Sequence, residues 1–130
     1  MDIRIMLYED AREFMKAAGD MLYARETINN LILGISERLI NHTADHKKPF
    51  FAAVSDEGGD LVLAAVMTPP HHMILAGNSH FEIGVSALVS YLQDNQISFP
   101  GVIGPVHISD HFMKTWKRLY RHSGRIKMKQ

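Results

Sequence analysis

The stretch His72-Met73-Ile74-Leu75-Ala76-Gly77-Asn78-Ser79-His80-Phe81-Glu82 decides the fold, because it joins a strand to a helix through a short turn. His72 to Ala76 is an apolar run of strand length, and a turn-forming Gly-Asn-Ser sequence follows it. Ser79 and Glu82 have the spacing of a capping box, in which the serine hydroxyl accepts from the Glu82 amide and the carboxylate reaches back. The pattern predicts a strand over 72–76 and a helix capped at Ser79.

This capping box also bears on anion binding. Many cofactor-binding α/β proteins hold a phosphate in a glycine-rich loop at such a strand-to-helix junction, on the free amides of the helix start. Here the capping interactions would occupy part of those amides, and Glu82 would add a negative charge. The sequence therefore predicts that no phosphate is held at this junction in the usual way.

Two apolar strands precede this stretch. Pro49 to Val54 and Leu61 to Met67 flank the turn cluster Asp56-Glu57-Gly58-Gly59-Asp60, which predicts an antiparallel hairpin. The second strand is apolar throughout, as expected for a strand covered on both faces. A short strand at Ile3 to Leu7 is also consistent with the pattern.

Two helices are predicted between that first strand and the hairpin. Asp10 and Glu13 have capping-box spacing before the first helix, and the second helix is predicted to begin near Glu26. Gly34 lies inside the apolar run of the second helix, where a glycine costs about 1 kcal/mol relative to alanine. Its presence predicts close packing or a bend at that position.

The C-terminal part is predicted to form strand, helix and strand. A short strand is expected at Val102-Ile103, and Ser109 is expected to cap a final helix. Arg125 to Gln130 alternates as a strand does, and such a terminal strand needs a neighbour in this chain or in another copy. The overall prediction is a single α/β (α+β) domain over 1–130, with a mostly antiparallel central sheet flanked by helices.

Composition excludes several classes of function. The chain has 130 residues, 46% of them hydrophobic, and 14 basic residues balance 14 acidic ones. A neutral balance gives no electrostatic footprint for nucleic acid or an anionic membrane, so neither is expected as a partner. The chain has no cysteine, which excludes thiol catalysis and disulfides and is consistent with a cytoplasmic location.

Four segments resemble a known family. They are Glu26-Thr27-Ile28-Asn29-Asn30-Leu31-Ile32-Leu33-Gly34, Phe50-Phe51-Ala52-Ala53-Val54, Val66-Met67-Thr68-Pro69-Pro70-His71 and Phe99-Pro100-Gly101-Val102-Ile103-Gly104-Pro105. Together with the order of elements, they resemble the N-terminal half of two-part GNAT (GCN5-related) N-acetyltransferases. The resemblance implies a GNAT-like fold, acetyl-CoA as the family cofactor, and a second half that carries the cofactor site.

One part of the GNAT pattern is missing. The family holds the acetyl-CoA pyrophosphate with an Arg/Gln-x-x-Gly-x-Gly/Ala loop, whereas the matching stretch here, Ala76 to Gly84, has no Arg or Gln. We therefore expect no cofactor on the isolated chain and an accessory role beside a catalytic GNAT half. Two alternatives stay open. One is an active N-acetyltransferase with an atypical cradle at Asn78, Ser79 and His80, and the other is a homodimeric scaffold paired through the C-terminal strand.

Five polar residues are candidate ligand-binding residues. Asn29 and Asn30 are poor helix formers, so they are expected either to bind a ligand at the mouth of the sheet or to bond nearby backbone. Thr68, His71 and His72 surround the Pro-Pro break before a strand. Histidine is the residue type most often used as a general base near neutral pH, so either residue is a candidate for that role. A polar strand end is the alternative explanation for both.

No metal site is expected. His42 and His46 lie four residues apart near a helix end, but no carboxylate or thiolate is spaced to complete a zinc site. His107, Asp110 and His111 cluster at the start of the last helix, where Asp110 is explained by the helix dipole.

Overall fold

The computed structural model describes residues 3–41, 48–69 and 71–122. These residues form five strands and four helices. The strands are β1 (Arg4–Tyr8), β2 (Phe50–Ser55), β3 (Leu61–Met67), β4 (Met73–Gly77) and β5 (Val102–Ile103). The helices are α1 (Ala11–Tyr23), α2 (Asn30–Asn41), α3 (Phe81–Asp94) and α4 (Val106–His122).

The strands form one mixed sheet in the order β1-β2-β3-β4-β5. The first three pairings are antiparallel, and β5 pairs parallel to β4 through Met73 with Val102 and Ile74 with Ile103. The predicted hairpin of β2 and β3 is confirmed, and Asp56 closes its turn by accepting from the amides of Gly58 and Asp60. The expected α+β class with a mostly antiparallel sheet is therefore confirmed.

Both faces of the sheet are covered by helices. On one face, Leu63 and Leu75 pack with residues of α3 and α4, such as Leu88 and Phe112. On the other face, Val66 and Ile74 pack with residues of α1 and α2. Burial on both faces explains why β3 is apolar throughout, since alternate residues of a strand point to opposite sides.

Helix α1 begins as predicted. The Asp10 carboxylate accepts from the Glu13 amide at 2.9 Å, which satisfies one of the amides left free at a helix start. At the other end of α1, the Tyr23 hydroxyl donates to the Glu37 carboxylate of α2. This hydrogen bond links α1 to α2. It is also the largest of the effects that raise the pKa of Tyr23.

Helix α2 begins later than predicted. Residues 24–29 form turns, and the helix begins at Asn30 rather than near Glu26. The cause is local, because the Asn29 side chain donates to the Leu22 carbonyl at 3.0 Å and folds the connection back on α1. The prediction of close packing at Gly34 is also wrong, since Gly34 is exposed and an added Cβ would meet no atom within 4 Å.

The capping box predicted at Ser79 and Glu82 is wrong. Helix α3 has His80 at its N-cap position, with no side-chain cap hydrogen bond. Asn78 takes the local role instead, since its Oδ1 accepts from the His80 amide at 2.8 Å and its Nδ2 donates to the Leu61 carbonyl at 2.9 Å. An asparagine that bonds backbone on both sides fixes the turn, and the helix begins two residues after Ser79.

The cap predicted at Ser109 is wrong as well. Helix α4 begins at Val106, and the Pro105 carbonyl accepts from the amides of Ile108 and Ser109. The Ser109 hydroxyl donates to the same carbonyl at 3.1 Å, as serines do inside a helix. The predicted terminal strand, Arg125 to Gln130, lies outside the described residues.

Candidate functional site

The carboxyl ends of β4 and β5 form the centre of the candidate site. These two strands are parallel, so their carboxyl ends lie at the same edge of the sheet, and α3 and α4 begin there. In open sheets that contain parallel strands, ligands bind preferentially in the crevice outside such ends. The connection between α1 and α2 covers this edge and completes a cleft of about 310 Å³.

The cleft has a polar middle. Arg25 and Asn29 line it from the α1–α2 connection, Asn78 and Ser79 from the turn after β4, and His107 from α4. Asn29 is 6% exposed and is held by its bond to Leu22, so its position is fixed by the fold. Amide, hydroxyl, imidazole and guanidinium groups can hydrogen-bond an oxygen-rich ligand.

Beside this cleft, apolar side chains pack closely against Gly77 at the end of β4. Ile108 is 1% exposed, and its Cδ1 would lie 3.4 Å from a Cβ added to Gly77. The Phe81 Cβ would lie 2.9 Å from the same position. The Phe81 ring in turn contacts the imidazoles of His107 and His111 edge-on, at centroid distances of 5.2 and 5.7 Å. The first residue of α3 is thus packed under the first turns of α4.

The start of α3 is poor in features that hold an anion. The His80 amide donates to the Asn78 side chain, and the Phe81 amide donates to the Asn78 carbonyl at 3.2 Å. Glu82 is exposed in the first turn of α3. Its negative charge interacts favourably with the helix dipole and would repel a phosphate. Asn78, rather than the predicted capping box, therefore occupies two amides at this junction.

The structure separates the predicted candidates into two groups. Asn29, Asn78 and Ser79 line one cleft, and His80 is the next residue along the chain. Asn30 is exposed at the first position of α2.

The second group lies at the opposite end of β4. Thr68 and His71 are joined by a tight turn, in which the His71 amide donates to the Thr68 carbonyl at 2.8 Å. His72 lies beside Gly101, where an added Cβ would come within 2.9 Å of the His72 ring. The five residues of β4 lie between His72 and Asn78, so the two are six steps apart, a distance of roughly 20 Å at 3.3 Å per residue. Neither His71 nor His72 can therefore act on a ligand in the 310 Å³ cleft.

The sequence patterns did not single out several residues of the site. Ile28 lies in a stretch that was expected to be helical, and Arg25 lies just before it. Phe81 was predicted on the apolar face of its helix, and Ile108 lies before the helix start predicted at Ser109. The packing of α4 on α3 brings Ile108 and Phe81 together beside Gly77. One feature of the sequence could have pointed to Arg25 as a site residue: it is a cation a few positions before two consecutive asparagines.

The described residues offer neither a metal site nor a membrane span. In these ranges, no three side chains among His, Asp and Glu come together as metal ligands would. His42 and His46 lie outside them. None of the helices in the same ranges combines the length and the apolar character needed to cross a membrane.

Comparisons with protein-family models, with curated proteins and with solved structures give no significant match to this chain.

Proposed function

We propose that this chain is a GNAT-related domain that acts as the accessory or N-terminal half of an N-acetyltransferase, without a standard acetyl-CoA pyrophosphate site of its own. Four family-like segments support the relationship. The mixed, mostly antiparallel sheet with helices on both faces agrees with the topology that the resemblance implies. The partner that this proposal requires is a catalytic GNAT half.

The packing against Gly77, at the end of β4, carries the proposal. A cofactor held at the start of α3 needs free amides and open space beside the strand end. Here Asn78 occupies two of those amides, and Phe81 and Ile108 fill the space beside Gly77. Opening that space would expose both side chains, each of which stabilises the fold by about 1.5–3 kcal/mol when buried.

Calorimetric titration of the purified chain with acetyl-CoA and with CoA tests the proposal. The expected result is no saturable heat up to millimolar cofactor. Saturable binding in the micromolar range would refute it, because the buried Phe81 and Ile108 would then have to move or be bypassed. For the α3 variant Glu82→Gln used below, the matched control is Ser90→Ala, at an exposed position of α3 away from the helix start.

The cleft at the same edge favours a second candidate, an active N-acetyltransferase with an atypical cradle at Asn78, Ser79 and His80. It offers polar groups next to the position where the family cofactor would lie. In this candidate a histidine base would be His107, because His71 and His72 lie at the far end of β4. Glu82→Gln distinguishes the two functions: tighter acetyl-CoA binding by this variant supports the second candidate, and continued absence of binding supports the first.

The third function, a homodimeric scaffold, depends on Arg125 to Gln130, outside the described residues. The mass in solution, measured with and without these six residues, tests it. A dimer that survives the deletion would exclude pairing through the terminal strand.

A further inference from the structure

Three adjoining clefts form one groove along the α1–α2 connection, which we call the connection groove. The central cleft is the 310 Å³ cleft described above, and clefts of about 480 and 250 Å³ adjoin it on either side. Neighbouring clefts share lining residues, which are Arg25, Gly77 and Asn78 on one side and Ile28, Asn29 and Pro105 on the other.

One end of the connection groove is apolar and open to solvent. Ile28, Leu31 and Ile103 line it with exposed fractions of 54%, 44% and 43%. Val106, which directly follows the lining residue Pro105, is 82% exposed. Large aliphatic side chains gathered at a concave surface mark a binding site more often than scattered ones do. This end therefore suits an aliphatic group.

The middle of the groove carries positive charge. Arg25 lines both the central and the 480 Å³ cleft, and within the described residues it forms no ion pair. Asp20 and Asp60 line only the 480 Å³ cleft, on the side of Arg25 away from the apolar end. An anion is therefore favoured in the central cleft and disfavoured beyond it.

A single guanidinium beside two amides suits a carboxylate. The planar fork of an arginine matches two carboxylate oxygens. Asn29 and Asn78 line the same cleft, and each Nδ2 carries a second hydrogen besides the one that it donates to a backbone carbonyl. A diphosphate would bring more negative charge than one arginine balances. Together the central and apolar clefts have the size of small-molecule pockets, which is about 300–1,000 Å³.

We propose that the connection groove binds an aliphatic monocarboxylate, with its carboxylate at Arg25 and its chain along Ile28, Leu31 and Ile103. This site does not require acetyl-CoA binding and stands whether or not the chain works with a catalytic GNAT half.

Octanoate, titrated into the full ¹⁵N-labelled chain, is the probe. The expected result is saturable shifts confined to the amides of the connection groove. Acetate lacks the chain and octan-1-ol lacks the charge, so each is expected to bind at least tenfold more weakly. Arg25→Gln is expected to weaken octanoate binding by about tenfold or more, because a charge-assisted hydrogen bond is lost. Arg12→Gln, at an exposed position near the start of α1, is the matched control and is expected to bind as the parent chain does.

Three results would overturn the inference. These are no saturable binding of octanoate, shifts that map away from the groove, or equal affinity of Arg25→Gln and the parent chain. Because Arg25 is exposed, its replacement is expected to leave the fold intact, and an unchanged amide spectrum of the free variant verifies this. Failure of this experiment leaves the acetyl-CoA result unaffected, so the two proposals are tested separately.

Discussion

Two glycines inside helices differ in their surroundings, and alanine substitution should stabilise the protein at one of them and not at the other. Gly84 of α3 faces the sheet. A Cβ there would lie 3.0 Å from Val62 Cγ2 and 3.2 Å from both Leu63 Cβ and Val54 Cγ1. Gly34 of α2 is exposed, with no atom within 4 Å of the added Cβ.

The magnitudes follow from separating helix propensity from packing. Both substitutions gain roughly 1 kcal/mol, because alanine favours the helix and restricts the unfolded chain. Gly84→Ala also crowds three atoms of β2 and β3, none at the end of a long flexible side chain, and overpacking of this kind costs about 1–3 kcal/mol. Gly34→Ala should therefore raise the free energy of unfolding by about 1 kcal/mol, and Gly84→Ala should fall about 1–3 kcal/mol below Gly34→Ala.

Urea unfolding of the parent chain and both variants, followed by circular dichroism, measures these changes. Equal slopes of the unfolding free energy against urea would show that the midpoints report stability alone. If Gly84→Ala stabilised the protein as much as Gly34→Ala does, the close approach of α3 to the sheet would be refuted.

Three further predictions concern single polar groups. Ser36→Ala should raise the melting temperature, because the buried Ser36 hydroxyl has no hydrogen-bond partner among the described residues and its desolvation costs about 1–3 kcal/mol; an unchanged or lower value in calorimetry would contradict this. Asp10→Ala should lower the free energy of unfolding by about 1 kcal/mol through loss of the α1 cap, whereas Asp10→Asn should retain most of it in the same urea assay. The pKa of Tyr23 is raised above its usual 10.0 by Glu37, so the stabilisation from this pair is present below pH 10 and is lost as the pH rises through the higher folded-state value. Glu37→Gln should return the Tyr23 titration, followed by ultraviolet absorbance, towards 10.0, and an unshifted curve would exclude the hydrogen bond.

The strands were the most predictable part of the fold. The bounds of β3, Leu61 to Met67, match the prediction, because the Asp56–Asp60 turn and the Thr68-Pro69 break delimit the apolar run on both sides. The bounds of β2 and β4 differ from prediction by one residue at each end. Local turn chemistry marks such boundaries clearly, since it depends on adjacent residues alone.

Helix starts were less predictable, because a capping motif shows which side chain is able to cap but not where the chain turns into the helix. At α3, the Asn78 side chain accepts from the His80 amide, and the helix begins two residues after Ser79. At α4, the helix begins at Val106, and the backbone carbonyl of Pro105 accepts from the amides of Ile108 and Ser109. A motif match identifies the region of a helix start but not its first residue.

The candidate site was predictable only in part. Asn29 was expected either to bind a ligand or to bond nearby backbone, and it does bond the Leu22 carbonyl. Asn78 and Ser79 were candidates only as an atypical cofactor cradle, and all three residues line the same cleft. The packing of Phe81 and Ile108 against Gly77 depends on how α4 packs on α3, a contact between distant parts of the chain. No local pattern reports such a contact.

The order of strands has a consequence for how the molecule opens. Strands β2, β3 and β4 follow one another closely in both sequence and space, whereas β1 pairs with β2 across the whole α1–α2 segment. Pairing over a long sequence separation costs more loop-closure entropy, so the β2–β4 meander should form earlier in folding and β1 later. In native-state hydrogen exchange, the amides of β1 and α1 should therefore exchange together through a partial opening, while those of β3 exchange only on global unfolding.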